Sequence, residues 1–491
     1  MSVLRASFCA RKKWPPDKVS AIRQSLIHQA DDGCSNQRGS RKMGKSHSSL
    51  VASRRRLLQA GAGLVGGGLM PAALVQSAFA ANEAPVGTWP AGVSGSSVFA
   101  GVTLPRTGTY AVPGEDELKG VELAIEHING GHPLMRQIAT KLTKGLLGKQ
   151  VTHAVADSQA KPNVAVENGT RFINDNKAIM FCGCVSSAEA VALNKLAQRE
   201  HVIYLPLVSG SNDTTGKDCV RYSFRQCFYA QTAAAALTPV IIKQIGKNKK
   251  IAFLTPDYTY GHTVRQSFQE ATAKDGGWTV ATNQIAPLGS PDYSSYLLNI
   301  ANSGADVFIN INFGNDAVLS LKQAKQFGVL DKMTLVMAYN TPFLARDVGP
   351  DLMQGVYAAT DFWWTLEDKF PLAKEFVTAF QAKYNYKPDW SANTGYMSLA
   401  LWADAVTRAG SFYPPSVIKA YEAGKPTQST VGEVRFRPED HQLIRPVIIV
   451  RGKKKADMKN ADDYYDIVEI VPGGPLMQKP DAFGCQLGSY T

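Results

Sequence analysis

AIMFCGCVSSAEAVALNKLAQREHVIYLPLVSGSN, residues 178–212, is the stretch on which the fold turns. Apolar runs at 178–181 and 202–207 bracket a segment of helical periodicity from about 187 to 199. Each run ends in small hydroxyl residues, Ser186 and Ser187 after the first and Ser209 and Ser211 after the second. The order is strand, turn, helix, strand, turn. In a parallel sheet both turns open at the carboxyl ends of the strands, where α/β folds bind small molecules. Ser186 and Ser187 stand where the helix begins, so backbone N–H groups, hydroxyls and the positive end of the helix dipole converge on one small volume. A helix cap alone accounts for an isolated serine of this kind. A second hydroxyl-bearing turn at the end of the next strand points instead to a site that holds an anionic group without lysine or arginine.

The same rhythm runs outward in both directions. Upstream, a strand at 98–104 and a loop at 106–110 precede a helix from about 115 to 129, then a strand at 151–156 and a helix near 163–174. After Cys227 the alternation restarts, with helices near 231–245, 260–274, 293–302 and 315–327 and strands at 251–255, 278–285, 307–311 and 334–337. A strand at 355–360, an aromatic turn (Asp361-Phe362-Trp363-Trp364) and helices near 372–384 and 391–409 follow. Residues 430–450 and 464–471 alternate apolar and polar positions and read as antiparallel or edge strands. The fold class is therefore α/β, with two doubly wound parallel-sheet lobes and a ligand cleft between them.

The formal net charge of +12 invites a nucleic-acid reading until it is located. Residues 1–80 carry +10 of it and the remainder +2. A duplex-binding surface needs a concentrated basic stripe; beyond 453–455 the body of the chain has none, and no nucleic-acid partner is expected. Within the leader, Ser53-Arg54-Arg55-Arg56-Leu57-Leu58 opens a mildly apolar stretch to Val75, and Ala78-Phe79-Ala80 is a small-x-small cleavage site. Five glycines and a proline between Leu57 and Val75 make a poor spanning helix. The segment resembles a twin-arginine (Tat) signal built on Arg54 and Arg55 and cleaved near Ala80, which implies the Tat export machinery as a partner and the periplasm as destination. Residues 81–96 read as a flexible lead-in. Gly61-Ala62-Gly63-Leu64-Val65-Gly66 matches a dinucleotide fingerprint, but it lies in this leader with no strand before it. Five cysteines follow the leader, in a compartment where disulfides persist. Cys219 and Cys227 are close enough to bridge a hairpin-like loop, Cys182 or Cys184 could reach Cys219 instead, and spacing leaves the connectivity open.

As an ordered set, several motifs resemble the type I periplasmic substrate-binding proteins of the leucine/isoleucine/valine-binding family. They are VFAGVTL at 98–104 with Thr107-Gly108, Gly114, Gly120-Val121-Glu122-Leu123-Ala124-Ile125 and Ile128-Asn129; Gly183-x-x-Ser186-Ser187; Pro206-x-x-Ser209; Phe224-Arg225; Gln323-Ala324-Lys325-x-x-Gly328; and Gly395-Tyr396. The resemblance implies interleaved lobes, 97–227 with 357–431 and 228–356 with 432–470, three hinge crossings and a C-terminal tail at 471–491. It implies an exported, non-catalytic protein, without cofactor or metal, that captures a small polar solute (a branched-chain amino acid, an amide or a carboxylate) by hinge closure. An inner-membrane ABC permease is the implied partner. Ser186 or Ser187, with Leu207 and Ser209, would hold a ligand carboxylate; Phe313 would close on the ligand from the second lobe, and Tyr110 is a further ligand-binding candidate. The acidic residue that pairs with an α-amino group in the family falls near Tyr339 or Asn340, neither of which is acidic. A buried ammonium without a carboxylate is costly, so either Asp361 supplies the charge or the ligand is an uncharged amide or an acid held by Phe313, Trp363 and Trp364. A ligand-binding sensory subunit is the alternative within the fold, and an exported α/β hydrolase the alternative from another class. Gly-x-Ser-x-Gly and His-Glu-x-x-His are both missing.

Overall fold

The structure, a computed structural model, describes residues 84–490; the leader with Arg54, Arg55 and Ala80 lies outside them. The first sheet is four-stranded and wholly parallel, in the order β2-β1-β3-β4: β1 (Ser97–Leu104), β2 (Gln150–Asp157), β3 (Met180–Gly183) and β4 (Ile203–Pro206). Every residue of β3 and β4 is buried, as expected for strands covered on both faces. The helix between them, Ser187–Glu200, starts with a capping box. Ser186 Oγ accepts from Ala188 N (3.3 Å), and Glu189 accepts from Ser186 N (3.2 Å), a device that stabilises a helix by about 1 kcal/mol. Gly183 closes β3 at φ +123°, and a Cβ there would lie 1.9 Å from the Thr103 carbonyl oxygen. Only glycine allows β1 and β3 to run this close as the chain turns into the serine pair.

The second sheet has seven strands, in the order β14-β13-β9-β8-β7-β5-β6. Its parallel part is β5 (Lys250–Pro256), β6 (Thr279–Ala286), β7 (Val307–Asn310), β8 (Thr334–Tyr339) and β9 (Tyr357–Thr360). A three-stranded antiparallel sheet comprises β10 (Thr427–Ser429), β11 (Gly432–Phe436) and β12 (Leu443–Ile444). β13 (Val447–Gly452) and β14 (Tyr465–Val471) then extend the large sheet antiparallel to β9. The sequence reading assigned nothing to 410–429, where a helix Pro414–Glu422 and β10 lie.

Two expected lobe boundaries move. β9 begins at Tyr357, where the first lobe was expected to resume, yet it pairs with β8 and β13 in the second sheet, and the crossing follows at Asp361. Residues 432–444, expected in the second lobe, form β11 and β12 and pack on the first: the Phe436 ring meets Phe224 at 5.6 Å and Tyr421 at 4.9 Å. Alternation reveals a strand and its buried face but not the sheet that receives it.

The disulfide also differs from expectation. Cys219 pairs with Cys485, 266 residues away, and not with Cys227; Cys182, Cys184 and Cys227 are buried free thiols. The physical reason is the tail. Beyond β14 the chain turns through Gly473–Leu476 and runs back onto the first lobe, where Arg221 donates to the Gly488 carbonyl (2.8 Å) and Tyr222 Oη to the Tyr490 carbonyl (2.7 Å). Cys227 meanwhile faces inward, its thiol 3.4 Å from the Ser209 carbonyl.

Candidate functional site

The loops at the carboxyl ends of the two sheets meet. Tyr110 Oη, after β1, and Tyr258 Oη, after β5, share a hydrogen bond of 2.6 Å. Thr109 Oγ1 donates to Asp316 at 2.7 Å, Ser211 Oγ and Thr259 Oγ1 lie 2.8 Å apart, and Asn212 donates to Ser267 Oγ at 3.1 Å. Tyr339 Oη donates to the Gly210 carbonyl at 3.3 Å. These bonds join the lobes across a seam and define a closed arrangement.

Within the seam, five aromatic rings contact one another in a closed circuit. Phe313 meets Tyr260 (6.5 Å between centroids), Tyr260 meets Tyr339 (5.3 Å), Tyr339 stacks on Phe228 (4.5 Å), Phe228 meets Trp390 (6.0 Å) and Trp390 returns to Phe313 (5.7 Å). Tyr110 packs edge-on against Phe313 from outside the circuit. The circuit draws Tyr260, Phe313 and Tyr339 from the second lobe, Trp390 from the first and Phe228 from a crossing. Asn312 precedes Phe313 and Asn340 follows Tyr339 in the chain. Both are buried, and none of their four side-chain nitrogen and oxygen atoms has a hydrogen-bond partner; the Tyr260 hydroxyl likewise lacks one. Asn310 is opposite Met337 in the β7–β8 pairing, so Asn312 and Asn340 leave the ends of adjacent parallel strands. A bulge between Met337 and Tyr339 re-aims the end of β8 at this point.

The expected anion-holding set comes together but is bonded to itself. Ser187 Oγ accepts from Ser209 Oγ (3.1 Å) and from Ser211 N (3.1 Å), and Ser209 Oγ lies 2.7 Å from Thr214 Oγ1. Ser186 caps its helix, and Leu207 N donates to the Gly183 carbonyl at 3.4 Å. Asp361 does not supply a free charge. It accepts from Arg445 (2.7 Å), Thr394 Oγ1 (2.7 Å) and Phe228 N (3.2 Å), all fully buried. Burial raises its pKa, and the guanidinium of Arg445 opposes that shift. Trp363 lies outside the circuit, its ring edge-on to Tyr465 at 5.0 Å in a side cleft shared with Trp364, Phe343 and Tyr386.

A second buried arginine, Arg225, ties the first lobe to the crossings. It donates to Gln442 (2.6 Å), to the Ser209 carbonyl (2.9 Å), to Thr215 Oγ1 (2.5 Å) and to the Ser211 carbonyl. Behind the serine turns, burial pushes Glu189 up to about 7. Glu117, fully buried with neither oxygen partnered, is held well above the usual carboxylate range by burial first and then by Glu189. Among the described residues no group of three His, Cys, Asp or Glu side chains is set to hold a metal. Sequence reasoning did not identify Tyr260, Asn312, Phe228 or Trp390. The first two follow β5 and β7, so the logic that picked out Ser187 and Ser209 reaches them as well; nothing local marks Phe228 or Trp390.

A family described as periplasmic binding protein matches residues 97–457. A Leu/Ile/Val-binding protein homolog 8 from Brucella abortus is 27% identical over 336 residues, covering 66% of this chain and 79% of that relative. Among solved structures, an amino acid ABC transporter substrate-binding protein from Pseudomonas fluorescens is similar with a TM-score of 0.70 and 26% identity, covering 80% of this chain and 100% of that one. A solute-binding protein of an ABC transporter from R. palustris, in complex with benzoate, has a TM-score of 0.67 at 21% identity, covering 80% and 100%.

Proposed function

This chain belongs to the periplasmic binding protein family, and from that premise we propose that it is the solute-capturing component of an ABC importer, working by hinge closure in the seam between its two sheets. The carrying observation is the closed circuit of five rings at the lobe–lobe seam, together with the buried hydroxyl of Tyr260 in that circuit, which has no partner within the protein. A group so placed meets water when the lobes part and a solute when they close. Contacts made only in the closed form are what allow a solute to shift the population towards it. The permease of the importer would read that closed form. Arg54, Arg55 and Ala80 are assigned to Tat-dependent export and cleavage. The amino acid carrier and the benzoate-bound protein share this fold, so the fold leaves the ligand class to the residues of the cleft.

The test is thermal unfolding of the purified protein with a panel of amino acids, amides and carboxylates. A bound solute at 100 times its dissociation constant stabilises by roughly 2.7 kcal/mol. Small-angle scattering with and without that solute should report a smaller radius of gyration when it is bound. A panel in which no solute moves the midpoint refutes the proposal.

A further inference from the structure

Beside the crossing at Asp361 a second cleft runs between the lobes, and none of the five residues of the ring circuit lines it. Six other aromatic rings do. Trp363 and Trp364, just past the crossing, and Tyr386, just before the helix Trp390–Ala409, belong to the first lobe; Phe343, after β8, and Tyr464 and Tyr465, where β14 starts, belong to the second. Trp363 meets Trp364 at 6.1 Å and Tyr465 edge-on at 5.0 Å, and Phe343 meets Tyr386 edge-on at 5.8 Å. The last two contacts cross from one lobe to the other. The space between the rings is narrow and partly open to solvent. Such a slot suits a flat ligand, which meets aromatic walls by stacking and by edge contacts.

Hydrogen bonding then narrows the class. Trp364 Nε1 donates to the Asp462 carbonyl (3.0 Å), Lys387 pairs with Glu367 (3.2 Å) and stands over the Trp364 ring, and Arg346 pairs with Asp347 (2.8 Å). Both carboxylate oxygens of Asp389 are taken, one by Trp390 N (2.7 Å) and the other by Phe343 N (2.9 Å). Trp363 Nε1 is different: it is buried and donates to nothing within the protein. An indole N–H is a donor only, and leaving it buried and unmade costs its full desolvation. Its complement is an acceptor on the ligand. Asp389 also ties this cleft to the ring circuit, because one of the N–H groups it accepts belongs to Trp390 and the other to the opposite lobe. A molecule held between the six rings touches both lobes only when they are closed, and so shifts the population towards that form. By linkage it also raises the affinity for a solute that binds the closed form.

We propose that this cleft is a second ligand site, distinct from the solute seam. It takes a planar aromatic molecule with a hydrogen-bond acceptor on its edge, such as a ring nitrogen, answered by Trp363 Nε1, and its occupant favours the closed form. The site stands independently of the capture reading above; its effect on solute affinity rests on that reading.

Titration calorimetry on the purified protein tests this with quinoline, whose ring nitrogen is an acceptor, against indole, a flat analogue that carries a donor instead. Quinoline should bind at least about fivefold tighter than indole. Trp363→Phe keeps a ring and removes the donor; it should weaken quinoline by about 5–10-fold and erase its advantage over indole. Tyr464→Ala, at a half-buried position of the cleft, is the second variant should the first fail to fold, and should weaken quinoline and indole alike by about fivefold. Small-angle scattering with saturating quinoline and no solute should report a smaller radius of gyration. Three results overturn the site: no binding of quinoline, quinoline binding no tighter than indole, or quinoline affinity unchanged in both variants and lost in Phe313→Ala, which would return the molecule to the solute seam. Quinoline that binds as described without contracting the protein overturns the effect on closure. Quinoline binding in a protein that answers no solute of the panel refutes the capture reading and supports the site.

Discussion

Asp361 and Arg445 meet at two of the three crossings, one just after β9 and the other just before β13, and both side chains are almost wholly inaccessible to water. Replacing Asp361 with Asn keeps an acceptor for Phe228 N but strands the guanidinium of Arg445 as an uncompensated buried charge. Removing one partner of such a pair typically costs about 3–5 kcal/mol. The converse change, Arg445→Met, leaves a buried carboxyl that can escape by taking up a proton. Its cost should be smaller at pH 4 than at pH 7, since a carboxyl whose folded pKa is raised keeps its stabilising protonation below the unfolded value and loses it as the pH rises. The double variant should recover much of the loss, because two neutral groups of similar volume replace two charges. Guanidinium chloride unfolding of the four proteins, run without solute at both pH values, measures every term of the cycle. Were Asp361 instead an acceptor for a ligand ammonium, Asp361→Asn would leave the unliganded protein's stability near wild type and cut only the stabilisation that solute adds. That result would refute the structural assignment, as would a double variant whose cost equals the sum of the single ones.

Several buried carboxyls have raised pKa values: Glu189 and Asp116 at about 7 and Asp389 at about 6, each chiefly through burial, with Glu117 shifted the same way. They bind protons more tightly folded than unfolded, so their stabilisation is full below about pH 4 and is lost as the pH rises through 6 to 7. Unfolding free energy should therefore fall between pH 5 and 8, and Glu189→Gln should flatten the slope; a curve rising over that range contradicts it. Cys485→Ser should lower stability by about 2–4 kcal/mol, and peptide mapping of the unreduced protein should recover residues 219 and 485 in one linked pair, with Cys227 alkylated only after unfolding. Tyr110→Phe removes the hydroxyl that meets Tyr258 across the seam. It should weaken solute binding roughly fivefold, the value of one ordinary hydrogen bond of about 1 kcal/mol, with a smaller effect on the stability of the unliganded form.

What could be read in advance follows from how far each signal reaches along the chain. Ser187 and Ser209 were legible because each ends a short apolar strand, and adjacent parallel strands bring such ends together. Their hydrogen bond at 3.1 Å is that rule made concrete. Phe313 and Tyr339 were reached through resemblance, and both lie in the ring circuit. Asn312 was not: an asparagine after a strand reads first as a turn residue. Asp361 was picked out as a charge for a ligand ammonium, whereas it is held by Arg445, a partner 84 residues further on and beyond any local pattern. The same blindness misplaced β9 and β11. A strand's face is written in its own alternation, whereas its neighbour is chosen by the whole sheet.

The returning tail has a topological consequence. With Cys485 bonded to Cys219, the segment between them, which includes all three crossings and the whole of the second sheet, is a covalent loop. A single proteolytic nick anywhere from 220 to 484 opens that loop without releasing either fragment, because one piece keeps Cys219 and the other Cys485. The exposed connection after β6, around 287–292, is the kind of site proteases favour. A molecule cut there stays one covalent body until its disulfide is reduced, with the halves of its ring circuit still tethered.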